Sequence, residues 1–396
     1  MRITPASELQ VRTGKLQQLM QQDGLDAILL IQNADLFYFT GTVQQGMLYV
    51  PASGEPLYMV RKDFGRARME SGLKEIIPFR SPKDIGGVLD SCSYPRPKRA
   101  GMELDVVPVE LYQRFAKAFE GCEMVGATHL IRTVRAVKSD YEIAIMKDAA
   151  LQVDRVYQRT KEVLRAGMSD LELAAELEFC ARKQGHQGVI RMRGFNNELF
   201  YAQIFSGADS AVPAFLDTPL GGLGLTPAVG QSASYKTIRR GEPVIIDFAG
   251  AFDGYLVDQT RVFSIGPLPE KLMRAYEDML RVQDKMMLTA RPGVPWGEVY
   301  EQCHRYACEL GYAEVCMGNP GAQVSFIGHG VGTEIDEYPF IARGFTDQLL
   351  EENMTFAFEP KAVFAGLGAV GIENTFRLAA DGPKRITFSD EKLAIL

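Results

Sequence analysis

Five residues in the last third of this chain carry side chains suited to one metal site: Asp247, Asp258, His329, Glu359 and Glu373. Their settings are Val244-Ile245-Ile246-Asp247-Phe248, Val257-Asp258-Gln259-Thr260-Arg261, Gly328-His329-Gly330-Val331-Gly332, Phe356-Ala357-Phe358-Glu359-Pro360 and Gly371-Ile372-Glu373-Asn374. Each carboxylate ends or interrupts an apolar, strand-like run. An acidic side chain is almost never fully buried unless it is paired or bound to metal. Four carboxylates and one imidazole can hold two divalent ions, and two ions about 3.5 Å apart share and activate a water.

The local sequence gives reasons for these residues to meet. Phe252-Asp253-Gly254-Tyr255 is a tight-turn signal between two strand runs. Asp247 and Asp258 flank it and are expected to be near cross-strand neighbours. Two carboxylates so placed repel, and one must stay protonated unless a cation intervenes. The competing reading makes Asp253 and Asp258 turn residues and pairs Asp247 with Arg261. His329 lies among glycines that permit close backbone approach and leave room above a site. Of the other histidines, His129 lies outside the second domain, His186 follows a helix end and His304 sits on a helix. These are expected at the surface or in packing. Glu359 and Glu373 each break an apolar strand. A lone strand glutamate normally faces solvent, but two of them matching two aspartates favour ligands.

That matching comes from an internal repeat. Ser139-Asp140-Tyr141-Glu142 and Ser169-Asp170-Leu171-Glu172 are capping boxes that open two helices, the first running to about Arg165 and the second to near Gly185. The chain then repeats the plan, with helices over Leu272–Leu288 and Trp296–Leu310. Gly167–Leu173 aligns with Gly293–Val299, and the aspartate pair follows the first helix pair as the glutamate pair follows the second. The acidic pairs are offset by less than the helix starts, which places extra residues in the first half, in the Pro/Gly-rich stretch 211–230. Two helices plus a hairpin, duplicated, bring both acidic pairs around a pseudo-twofold axis.

A smaller α/β domain precedes this one. Leu16–Gln22 reads as a helix ended by Gly24, and Leu25–Ile31 as a buried strand. Further strand-like runs occur at Leu36–Phe39, Met47–Val50 and Leu57–Val60, and helices near Asp63–Glu70 and Val109–Ala118. No catalytic cluster appears there, and a structural, oligomerising or substrate-gating role is expected.

With 396 residues the chain is too long for one core. The division expected is 1–135 and 136–396. A net charge of −7 and a pI near 5.4 argue against nucleic acid or an anionic membrane as partner. No apolar stretch approaches the roughly 20 residues of a membrane span. Met1-Arg2-Ile3-Thr4-Pro5 lacks the apolar core of a signal peptide. The six cysteines form neither a Cys-x-x-Cys pair nor a dense framework, and read as reduced thiols of a cytoplasmic protein.

The ordered Asp, Asp, His, Glu, Glu set in these contexts resembles the pita-bread metallopeptidases: methionine aminopeptidase, aminopeptidase P and prolidase, with creatinase as the metal-free relative. The N-terminal segment Arg12–Thr42, with Asp23-Gly24-Leu25-Asp26-Ala27 and Tyr38-Phe39-Thr40-Gly41, resembles the creatinase-type N-terminal domain. Arg135–Met146 resembles the entry into the catalytic domain. The resemblance implies an α/β fold: a creatinase-like domain, then a pita-bread domain with internal pseudo-twofold duplication. It implies a homodimer and two divalent ions. Asp247 would bind one and His329 the other, Asp258 and Glu373 would bridge them, and Glu359 would bind the second and shuttle a proton. An oxygen-rich shell with one nitrogen suits Mn(II) or Co(II), with Fe(II) or Zn(II) also possible.

Two positions depart from the prolyl-specific pattern. A second histidine usually follows the ligand histidine by seven residues, where this chain has Asp336. Another follows a Leu-Pro-like pair, where this chain has Ala214. Such histidines hold substrate and stabilise charge on the carbonyl oxygen. Asp336, if ionised at the pocket mouth, would attract a cationic group instead. The expected function is a dinuclear metal-dependent hydrolase of the Xaa-Pro aminopeptidase or dipeptidase type, acting on a peptide. The alternatives are the same centre acting on a small non-peptide substrate, as a C–N hydrolase or lyase, and a metal-free creatinase-like enzyme.

Overall fold

The computed structural model describes residues 2–396, which form two compact units. The first contains the chain up to Arg135 together with Arg193–Asn196. The second contains Ala136–Met192 and Asn197–Leu396.

The first unit is built on a six-stranded sheet: β1 (Ala27–Leu30), β2 (Gly46–Pro51), β3 (Leu57–Val60), β4 (Glu75–Pro78), β5 (Arg99–Met102) and β6 (Glu123–Gly126), in the order β4-β3-β2-β1-β5-β6. Its helices are α1 (Ala6–Gln22), α2 (Asn33–Thr40), α3 (Phe64–Glu70), α4 (Ile85–Ser91), α5 (Val109–Ala118) and α6 (Thr128–Ala136). Every residue of β1 is buried, because this central strand is covered on both faces. Such strands read as continuous apolar runs rather than alternating ones. The run Leu36–Phe39, expected as a strand, is helical instead, within α2. The Gln32 side chain accepts from the backbone N–H groups of Ala34 at 2.6 Å and Asp35 at 3.0 Å, and Gly41 closes the helix at φ 78°. A short apolar run cannot be assigned by periodicity, and here the caps decide.

In the second unit both capping boxes form. Ser139 opens α7 (Asp140–Val163) and Ser169 opens α8 (Asp170–Lys183), each exchanging bonds with the glutamate three residues on. Next come β7 (Ala202–Ser206), β8 (Val244–Phe248), β9 (Gly250–Phe252), β10 (Tyr255–Val257) and β11 (Thr260–Ser264). The second half follows with α9 (Glu270–Thr289), α10 (Trp296–Glu309), β12 (Phe326–Val331), β13 (Ile335–Ala342), β14 (Thr355–Phe358), β15 (Lys361–Phe364), β16 (Gly368–Gly371) and β17 (Asn374–Ala379). The chain ends with β18 (Gly382–Arg385) and β19 (Ala394–Ile395).

The duplication is visible in the pairing. One sheet runs β19-β11-β8-β7 and the other β13-β12-β14-β17-β18. Thus β7, β8 and β11 correspond to β12, β14 and β17. The small ladder β9–β10 corresponds to β15–β16. Residues 207–243 run without a strand where the second half has β13. The sheets and long helices enclose one core that includes Met279, Val282 and Met286 of α9, Trp296, Tyr300 and Cys303 of α10, and Ile327, Phe356 and Phe376 from the strands. Full burial of a large apolar side chain contributes about 1.5–3 kcal/mol, enough in sum to fix the strands that carry the acidic residues.

Candidate metal centre

Asp247 lies on β8, and the turn beyond it forms as the sequence implies. Asp253 and Gly254 both adopt positive φ, 43° and 86°, the requirement of a two-residue hairpin turn. The direct cross-strand partner of Asp247 is Thr260 rather than Asp258. Asp258 sits in the break between β10 and β11, and Glu373 in the matching break between β16 and β17. The two breaks are tied to each other. The Asp258 backbone N–H donates to Thr375 Oγ1 at 2.8 Å, and that hydroxyl donates to the Asp258 carbonyl at 2.9 Å. Thr260 Oγ1 donates to Glu373 Oε2 at 2.6 Å. Each threonine stands two residues after one acidic residue and bonds to the other, so the repeat crosses over at this point.

His329 projects from β12. A Cβ at Gly330 would stand 2.3 Å from the Tyr338 carbonyl oxygen, and one at Gly328 2.5 Å from that of Ala357. The flanking glycines therefore admit the neighbouring strands β13 and β14 rather than clear space for a ligand. Nε2 of His329 lies 3.7 Å from Glu359 Oε1 and 3.8 Å from Glu373 Oε1, and Nδ1 lies 3.4 Å from Asp336 Oδ1. Ligand atoms of Asp258, His329 and Glu373 all lie within 4.8 Å of one another, and all three residues are buried. This donor set, two carboxylates and one imidazole, suits a divalent ion.

Arg261, the alternative partner for Asp247, is engaged elsewhere. Its buried guanidinium donates to the carbonyls of Thr260 at 2.7 Å, Glu373 at 2.8 Å, Ser389 at 2.8 Å and Asp390 at 2.7 Å, and to Asn374 Oδ1 at 2.8 Å. It braces the strands that present Glu373. The residue that does meet Asp247 is Lys361, absent from the sequence-derived set. Its Nζ contacts Glu359 Oε2, stands 3.2 Å from Glu373 Oε2 and 3.4 Å from Asp247 Oδ2, and the side chain is 2% exposed. A lysine two residues after a candidate ligand, opening an apolar strand, was the available signal.

Burial and crowding perturb the charges as expected of converging carboxylates. Burial pushes the Asp247 carboxyl up to about 6 against the attraction of Lys361, and burial together with Glu373 and Asp247 raises Asp258 well above the usual range. Burial alone would lower His329, but the carboxylates of Asp336, Glu359 and Glu373 raise it.

All five expected residues border one cavity. Asp247, Asp258, His329, Glu359 and Glu373 line it with Asp336 and an apolar wall that includes Phe200, Leu216, Phe326 and Ile335. The 207–243 excursion reaches it through Leu216, Asp217 and Thr218. Ala214 is not among the described residues that line it. Asp336 holds a positive φ of 64°, and the nearby-in-sequence Arg343 lies against Glu301 at 4.0 Å and over the Tyr300 ring. The remaining histidines lie elsewhere: His129 pairs with Asp23, buried His186 meets the Ala249 carbonyl and stacks near Tyr201, and His304 stacks on Tyr300. All six cysteines are free, and among the described residues no helix is long and apolar enough to cross a membrane.

Known proteins resemble this chain over nearly its whole length. Residues 12–137 match the creatinase/prolidase N-terminal domain, and residues 144–380 match metallopeptidase family M24. The Xaa-Pro dipeptidase of Pyrococcus horikoshii is 26% identical over 96% of this chain and 97% of that protein. Among solved structures, the Xaa-Pro dipeptidase from Bacillus anthracis superposes with a TM-score of 0.82 at 25% identity, covering 98% of this chain and 100% of that one. The X-Pro aminopeptidase from Thermotoga maritima gives a TM-score of 0.78 at 25% identity over 94% and 98% of the two chains. With its helix pairs, crossed hairpins and ordered acidic residues, the chain belongs to metallopeptidase family M24.

Proposed function

We propose that this protein is a metal-dependent hydrolase that cleaves Xaa-Pro peptides at the cavity bordered by Asp247, Asp258, His329, Glu359 and Glu373. The observation that carries the reading is the meeting of Asp258, His329 and Glu373, with ligand atoms within 4.8 Å of one another, in the lining of a cavity that also has apolar walls. Relatives named Xaa-Pro dipeptidase supply the substrate class.

In this reading Asp258, His329 and Glu373 hold the ion, for which the oxygen-rich shell favours Mn(II) or Co(II). When bound, such an ion supplies Lewis acidity that makes water nucleophilic near neutral pH. The other steps belong to side chains. The Glu359 carboxylate takes a proton from the attacking water and returns it to the leaving amine. Phe200, Leu216, Phe326 and Ile335 exclude bulk water and offer a surface for a proline ring. His329 Nδ1 lies 3.3 Å from the Gly330 carbonyl oxygen, which suits an Nδ1–H tautomer that leaves Nε2 for the ion, and Asp336 at the wall, 3.4 Å from Nδ1, presents negative charge to the substrate.

The test is hydrolysis of a set of Xaa-Pro dipeptides and tripeptides by the chelated protein and after Mn(II) or Co(II) is restored. Activity should vanish on chelation and return with the ion, and Asp258→Asn should lose both activity and bound metal while its circular dichroism is unchanged. Full activity after exhaustive chelation overturns the reading, as does a metal-loaded protein that cleaves no Xaa-Pro bond.

A further inference from the structure

We propose that Lys361 is the second cation of this centre: the chain holds one divalent ion on Asp258, His329 and Glu373, and an ammonium in the corner formed by Asp247, Glu359 and Glu373. The inference rests on reading the cluster as a metal centre, and it replaces the pair of ions implied by the sequence resemblance.

Three observations carry it. The first is the division of Glu373. Its Oε2 receives the Thr260 hydroxyl at 2.6 Å and Lys361 Nζ at 3.2 Å, while Oε1 faces His329 Nε2 at 3.8 Å. One oxygen is thus committed to the ammonium and the other to the side where Asp258 and His329 converge. The second is the saturation of the amine. An ammonium has three N–H groups and accepts nothing. Here three carboxylates surround it, those of Glu359, Glu373 and Asp247. An ion held between Asp247 and Glu373 would have to displace it, and a buried charge stripped of its partners is strongly disfavoured.

The third is that the fold makes room for this side chain. Lys361 opens β15 opposite Gly371 of β16. A Cβ at Gly371 would stand 2.4 Å from the Pro360 carbonyl oxygen and 2.8 Å from both Cα and Cγ of Lys361, so the bare facing strand admits the Pro360-Lys361 backbone together with the first part of the lysine stem. The Lys361 carbonyl accepts from the Met317 N–H at 2.8 Å, which pins the base of the stem.

Metal stoichiometry decides the matter. The full-length protein is loaded with Mn(II), desalted and analysed for manganese per chain, and its electron paramagnetic resonance spectrum is recorded. Wild type should retain one ion with the signal of an isolated Mn(II). Lys361→Met keeps the stem and removes the charge; it should retain a second ion and show an exchange-coupled pair. Two coupled ions in wild type, both lost in Asp258→Asn, would overturn the role of Lys361 while leaving the metal centre intact. No retained ion in wild type would overturn both readings. A folded Lys361→Met that still holds one ion would show that the ammonium is not what excludes the second. The wild-type measurement stands even if the variant does not fold.

Discussion

The bond from Thr260 to Glu373 offers a sharp probe of how the two repeats build one site. Thr260→Val keeps the shape of a side chain that is 1% exposed and removes only the hydroxyl that donates to Glu373 Oε2 at 2.6 Å. A hydrogen bond to a charged acceptor contributes about 1.5–3 kcal/mol. If that bond orients Glu373 for the ion, its loss should appear as weaker metal binding. Removing a group that orients a ligand typically costs about 10–100-fold in affinity, or roughly 1.4–2.7 kcal/mol, and the two ranges overlap. The control is Thr375→Val, the corresponding residue of the other repeat. Its hydroxyl serves the backbone of Asp258 rather than a carboxylate, so its loss strands a buried N–H and costs about 1–3 kcal/mol of fold stability. Competition against a fluorescent chelator gives the affinities, and urea unfolding of the metal-free proteins gives the stabilities. Thr260→Val should weaken the ion at least tenfold, and Thr375→Val should act mainly on the urea midpoint. A folded Thr260→Val protein with unchanged metal affinity would refute the idea that the crossing hydroxyl positions Glu373.

Two further outcomes follow from charges near the helices and the cavity. Burial pushes the Asp170 carboxyl up to about 6, against the Ser206 hydroxyl at 2.5 Å. Because this folded value lies above the unfolded value of about 3.9, the group's contribution is fully present below about pH 4 and is lost as pH rises through about 6, an effect on the order of 2–3 kcal/mol. Asp170→Asn should flatten that part of the stability profile, and identical urea midpoints against pH for both proteins would contradict it. At the cavity, Asp336→Asn should leave bound metal in place and reduce a preference for cationic over neutral substrates, by about 1–3 kcal/mol in relative kcat/KM. Unchanged selectivity would remove Asp336 from substrate choice.

The fold was legible where local chemistry is strong. Ser139 and Ser169 with their glutamates announce two helices, and both boxes form as written. Asp253-Gly254 announces a hairpin, since few other residues tolerate two successive positive φ values. Leu36–Phe39 failed for the opposite reason. Its four apolar residues satisfy a strand and a buried helix equally, and the deciding interaction is a Gln32 side chain bonded to the next backbone amides. The repeat was legible as an order of elements. What spacing did not convey is that Asp247 pairs with Thr260 and that the tie between halves passes through the threonines.

Lys361 shows why a correct ligand list need not describe a site. Attention to acidic residues and histidine finds groups that bind cations, and it passes over the group that is one. Yet the sequence held the necessary clue. In an extended chain, residues two apart face the same side. Glu359 and Lys361 are so related, with Pro360 between them. A lysine that opens the run Lys361-Ala362-Val363-Phe364 must either reach solvent or find carboxylates. Here the adjoining strands present three, and burial makes each more costly to leave unpaired than it would be at a surface. Carboxylates that repel one another need a counter-charge, but that need does not specify a metal. An ammonium on the same strand answers part of it covalently, at no cost in binding entropy, and so fixes how much of the cage is left for an ion.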